Sequence, residues 1–284
     1  HVSKSAGTLL CFAALNSGCG AFIWDTRLNG PANCFIDGPN TPSDGTRWGT
    51  HDYWAYGSKR PDEFQSCNRL ASFYLKNSVS FTSNENTLPD EGPCVMFWNV
   101  LAIRNPVNRL ISHLSNLNDM KYHKEFKPEE ITPSLLRERA PVIVDNLYAR
   151  SLLGQKAYDM PFGKLTPAHL EKAKEKMEAF DTILLKNANM WKSVVLELGW
   201  KADNKTVTWD PKLGIHTDEY NNILESRWTQ DEWQEIRDVN WADMELFEHA
   251  TRLRELDEKV LKHPAFLREM ANMWGNCTCG FLCR

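Results

Sequence analysis

No stretch of the 284-residue chain approaches the roughly 18 consecutive apolar residues that a bilayer-spanning helix requires. No signal-peptide pattern is visible either, so this stretch of chain is expected to make no membrane contact. Excess basic charge is also lacking. The 33 lysines and arginines stand against 37 aspartates and glutamates, and a net charge of −4 excludes the general basic surface of a nucleic-acid binder. No Gly/Ser/Pro-rich linker or repeat divides the chain, which leaves one domain over residues 1–284 as the expectation. The paired CxxC spacing of a zinc site is missing, so no metal is expected. Missing too is the GxxxxGK[ST] loop of nucleotide triphosphatases, which argues against a kinase.

What is present is the composition of a globular protein. With 42% hydrophobic and 25% charged residues, the chain has ample material for a sizeable core. Its cysteines, Cys11, Cys19, Cys34, Cys67, Cys94, Cys277, Cys279 and Cys283, form an even set. That suits disulfides formed in a secretory compartment; three of the cysteines fall in a tail at about 265–284. Asn204-Lys205-Thr206 and Asn276-Cys277-Thr278 have the form of glycosylation acceptors.

Two stretches carry chemistry. His1-Val2-Ser3-Lys4-Ser5-Ala6-Gly7-Thr8-Leu9-Leu10 reads as a strand end, a turn of small residues and an apolar helix over Leu9 to Leu15. Such a turn aims backbone N–H groups, a positive helix end and one lysine at a single spot, which suits phosphate or sulfate. The second stretch, Val95 to Ile103, is an apolar run of strand length, as for a central parallel strand covered on both faces. It ends in Arg104-Asn105-Pro106-Val107-Asn108-Arg109-Leu110-Ile111-Ser112. Asn105 can cap the next helix and Pro106 suits its first turn. Arg104 then stands at a strand's carboxyl end, where open α/β sheets bind ligands.

Together these motifs resemble the sulfotransferases that use 3′-phosphoadenosine 5′-phosphosulfate (PAPS), especially the Golgi carbohydrate group. In that family H-[IV]-x-K-[ST]-x-G-T binds the 5′-phosphosulfate, and R-[DN]-P-x-x-R-[LF]-x-S binds the 3′-phosphate; the matches here are His1 to Thr8 and Arg104 to Ser112. Ala6 stands where many relatives have glycine, and Asn105 replaces the commoner aspartate. Weaker resemblance continues at Asp145 to Leu153, Phe180 to Leu185, and Leu198-Gly199-Trp200. The resemblance implies an α/β, P-loop-like three-layer fold, with a central parallel sheet flanked by helices. It implies sulfuryl transfer from PAPS to an acceptor hydroxyl, on a carbohydrate in the first instance, with a small hydroxylated metabolite, a peptide tyrosine or a non-catalytic nucleotide-binding role as alternatives. It also implies a Golgi or secretory location, with an amino-terminal anchor upstream of His1.

In the implied site, Lys4 neutralises the oxygen that leaves sulfur. The backbone of Ser5, Ala6, Gly7, Thr8 and Leu9, with the Thr8 hydroxyl, holds the 5′-phosphate, while Arg104 and Ser112 hold the 3′-phosphate. His51 is the expected general base, because an imidazole near neutral pKa can take the acceptor's proton; Asp52 and Glu63 are rivals. Around His51, Trp48, Tyr53 and Trp54 can stack on a sugar ring. Asn146 and Arg150 lie four apart on an expected helix over Asp145 to Leu153, with Arg150 either at the acceptor or in a structural salt bridge.

Further along, Thr166-Pro167 opens a helix with the stripe Leu170, Ala173, Met177 and Phe180, and a strand is expected over Phe180 to Leu185. Residues 62–77 and Trp191 to Leu198 read as helices, and a loop is expected from there through Asn222. Thr229-Gln230-Asp231-Glu232 has the form of a capping box, and a long helix should run from Ala242 to Leu261.

Overall fold

The computed structural model describes residues 5, 7–20, 34, 66–83, 87–89, 91–119, 127–186, 190–200, 211–261, 263 and 279. Most of them are helical, and two short parallel strands lie between the helices. This is compatible with an α/β arrangement.

Strand β1 (Val100–Ile103) pairs in parallel with β2 (Thr182–Leu185), Leu101 opposite Ile183 and Ala102 opposite Leu184. Side chains alternate across a strand, so successive residues enter different cores. Leu101, Ile103 and Ile183 pack with α6 (Leu147–Leu153), α8 (Pro167–Glu178) and α12 (Trp241–Leu261). Ala102 and Leu184 instead meet α1 (Gly7–Asn16) and α9 (Met190–Leu198). Helices therefore cover both faces of the strand pair. A third core joins α3 (Pro106–Asp119), α4 (Pro133–Arg139) and α5 (Pro141–Val144) to α10 (Pro211–Arg227) and α11 (Gln230–Val239) through Leu110, Leu114, Leu136, Ile143, Leu224 and Ile236.

Local signals that the sequence displays are realised. Asn105 Oδ1 accepts from the Val107 and Asn108 amides at 3.1 and 3.2 Å, and α3 begins at Pro106. Thr166 forms a capping box with His169, and Thr229 forms one with Glu232. Leu170, Ala173 and Met177 are the buried stripe of α8.

Three expectations are corrected. The apolar run from Val95 is strand only from Val100. Its front half turns instead, with Asn99 donating to the Cys94 and Phe97 carbonyls and with Val95, Met96 and Trp98 exposed. Residues 211–222, expected as loop, belong to α10, which Pro211 opens. The helix expected from Asp145 starts at Leu147, because Asn146 adopts a left-handed conformation (φ 53°, ψ 52°) that breaks it from α5.

Among the described residues, three disulfides join Cys11 to Cys34, Cys19 to Cys279, and Cys67, which opens α2 (Cys67–Lys76), to Cys94. The second closes a separation of 260 residues and so restrains the unfolded chain over nearly its whole length. Such bonds form and persist in oxidising, secreted or lumenal settings, and no helix among the described residues is long and apolar enough to cross a membrane. Cys277, Cys283 and both glycosylation tripeptides lie outside the described residues.

Candidate functional site

At the carboxyl end of β1, residues far apart in the sequence meet. Helix α1 is apolar around most of its circumference and is buried accordingly, with Leu10, Cys11, Ala13 and Ala14 in the core. Packing α1 against β1 and β2 brings Ser5, two residues ahead of the helix, to the end of β1. There the Ser5 Oγ lies 3.0 Å from the phenolic oxygen of Tyr148, on α6. The same tyrosine oxygen accepts from the Arg104 amide at 3.1 Å and donates to the Arg104 carbonyl at 2.9 Å. One hydroxyl thus ties the turn before α1 to the turn after β1.

Burial shapes the electrostatics. The Tyr148 hydroxyl is pushed up to about 12 by desolvation, against the pull of Arg109, so it stays protonated and able to donate across the physiological range. Arg109 is fully buried with its guanidinium 5.9 Å from the centre of the Tyr148 ring, donates to the Ile143 carbonyl, and meets His113 Nδ1 at 3.4 Å. Its Nε has no acceptor among the described residues. Burial lowers the pKa of both Arg104 and Arg109, and each arginine's charge adds to the field at this spot. Arg104 is half-buried, and the Asp218 carboxylate favours its charged form while Arg109 opposes it. Ser112, two turns into α3, is nearly buried.

The structure brings together Ser5 and Arg104 of the expected site residues, with Gly7, Thr8 and Leu9 following Ser5 in the first turn of α1. Lys4, Ala6, Trp48, His51, Asp52, Tyr53, Trp54 and Glu63 lie outside the described residues.

Arg150 is a correction. Its guanidinium is buried, and its donors are all used inside the fold. Nε donates to the Asp145 carbonyl at 2.7 Å and Nη1 to the carbonyls of Ala157, Tyr158 and Met160. Nη2 binds the Asp145 carboxylate and the Pro161 carbonyl. This is the structural salt-bridge role, holding α6 to the turn that follows α7 (Gln155–Tyr158).

Tyr148 was not legible as a site residue. The only hint was its place in the Asn146–Arg150 segment; the contacts that give it meaning span 143 and 44 residues of chain.

A separate cleft of about 530 Å³ is lined by Arg137, Asp145, Phe162, Asp231, Asp238 and Trp241 among others. Its carboxylates oppose a phosphorylated ligand, and neither Ser5, Arg104 nor Ser112 lines it. No three-residue set of metal-ligating side chains occurs among the described residues. Compared with known proteins, the chain matches no family model, no curated protein and no solved structure.

Proposed function

We propose that the chain is a PAPS-dependent sulfotransferase acting on an acceptor hydroxyl, with a carbohydrate as the acceptor class. The observation that carries this reading is the Tyr148 hydroxyl, which joins the turn at Ser5 to the turn at Arg104 at the carboxyl end of a parallel strand. Two anion-favouring elements, a helix amino terminus and an arginine at a strand end, then belong to one place rather than two. A nucleotide carrying phosphates at both ends of its ribose is the ligand such a pair fits.

In this reading the amides from Ser5 to Leu9 and the Thr8 hydroxyl hold the 5′-phosphate, and Arg104 with Ser112 holds the 3′-phosphate. The acceptor oxygen attacks sulfur in line with the departing 5′-phosphate oxygen. One S–O bond forms as the other breaks, the acceptor's proton passes to His51, and Lys4 meets the charge developing on the leaving oxygen. The products are the sulfated acceptor and 3′-phosphoadenosine 5′-phosphate (PAP). The transfer depends on positioning and charge stabilisation, which a dry, preorganised site supplies. Trp48, Tyr53 and Trp54 would form the acceptor's stacking surface. The wider architecture in this reading is the P-loop-like three-layer fold, and the location is the Golgi lumen, with an anchor upstream of His1.

A screen with labelled donor across glycans, sterols, phenols and peptides tests the reading. Label transfer to a glycan that is abolished by Lys4→Ala, with the melting curve unchanged, is the expected outcome. Transfer to phenols or peptide tyrosines would move the acceptor class, and donor binding without transfer to any hydroxyl would make the chain a binding protein.

A further inference from the structure

We infer that Tyr148 is a positioning residue that keeps the two donor-binding turns in register, and that the Ser5 hydroxyl serves this link rather than the phosphate. The inference rests on the proposed donor site. It follows from a count of protons. A phenol carries one hydrogen, and Tyr148 gives it to the Arg104 carbonyl at 2.9 Å. Its oxygen already accepts from the Arg104 amide at 3.1 Å, so the contact of 3.0 Å with Ser5 is made by the serine's own hydrogen. Ser5 is fully buried, and its hydroxyl then has no hydrogen left to offer a phosphate oxygen. What remains to Ser5 for an anion is its backbone N–H.

The tyrosine is itself held from several sides. Its amide donates to Asp243 on α12 at 2.9 Å, and Arg109 lies against its ring. The ring cannot shift without disturbing a helix start, and so the distance between the two turns is fixed before ligand arrives. Preorganisation of this kind raises affinity by removing an ordering cost from binding.

The test is a calorimetric titration of PAP into the wild type, Tyr148→Phe, Ser5→Ala and the double variant, with hydrogen exchange of the ligand-free proteins alongside. Each single variant is expected to weaken PAP about tenfold, the worth of one well-made buried hydrogen bond. The double variant is expected to be no weaker than either single one, because both remove the same link. The Arg104 amide is expected to exchange faster in both singles. Losses that multiply would mean that Ser5 reaches the phosphate by itself, and wild-type affinity in Tyr148→Phe would mean that no link is needed; either overturns the inference while leaving the donor site standing. A wild type that binds no PAP overturns the donor site, and the inference with it. Should Tyr148→Phe not fold, Ser5→Ala decides: a phosphate-contacting serine would leave the Arg104 amide unchanged in the absence of ligand.

Discussion

Asn146 and Asp243 cap each other's helices. The Asn146 Oδ1 accepts from the Ala242 and Asp243 amides at 2.8 and 3.1 Å, in the first turn of α12. The Asp243 carboxylate returns two bonds of 2.9 Å, to the Tyr148 and Ala149 amides in the first turn of α6. Orphan N–H groups at two helix starts are thereby satisfied by side chains from the opposite helix. Asn146 can do this because its left-handed backbone turns the side chain toward α12, a conformation asparagine tolerates better than most residues. The exchange also fixes where Tyr148 stands, and so it connects the packing of the core to the geometry of the candidate site.

Removing either cap leaves buried amides without acceptors. Asn146→Ala and Asp243→Ala are each expected to destabilise the protein by about 2–4 kcal/mol, from unsatisfied amides at about 1–3 kcal/mol. Asn146→Gly separates the two contributions, since glycine keeps the left-handed backbone and loses only the side-chain bonds. Urea unfolding measures all three. A loss below about 0.5 kcal/mol, the level of an ordinary surface change, would show that the exchange is incidental.

Stability is expected to rise, not fall, as pH drops from 7 toward 5. Burial pushes the Asp243 carboxyl up to about 6, against the two amides and Arg109, which favour its charged form, while Asp145 adds to the rise. An acid whose folded pKa lies above its unfolded value binds protons more tightly when folded. Its stabilising share is complete below the unfolded pKa and is lost as pH climbs through the folded one. Glu197, also raised to about 6 by burial, acts in the same direction. For Asp243 the change is on the order of 2 kcal/mol. Thermal melts across this window, repeated on Asp243→Asn, provide the check; the variant's curve is expected to be flatter, and an unaltered slope would assign the effect elsewhere.

Arg150→Met is expected to unfold or strongly destabilise the protein, by about 3–5 kcal/mol, because Asp145 would be left as a buried, uncompensated charge. A role at the acceptor would instead raise the acceptor KM with stability intact, and paired melting and kinetic measurements distinguish the two.

The parts of the fold that were legible in the sequence are those set by neighbours in the chain. Asn105-Pro106, Thr166-Pro167 and Thr229 to Glu232 announce helix starts because the capping side chain and the amides it serves lie within a few residues. The two strands were legible as apolar runs separated by helical patterns, while their pairing with each other was not. Val95 to Phe97 misled for the same reason: composition alone said strand, while the Asn99 side chain and the Cys67–Cys94 bond hold a turn there. Residues 211–222 hid because their apolar positions make no clean stripe. Of the site, Arg104 and the turn at Ser5 stood out by motif, but the hydroxyl that joins them could not, since nothing near Tyr148 in sequence marks its distant partners.

The most direct test of the central claim is a calorimetric comparison of PAP with adenosine 5′-phosphate on the wild type and on Arg104→Ala. One PAP site is predicted, with the 3′-phosphate improving affinity at least about tenfold over adenosine 5′-phosphate and Arg104→Ala erasing that difference, as expected for a charge-assisted bond. Equal binding of the two nucleotides by the wild type, or no heat from either, would contradict the account.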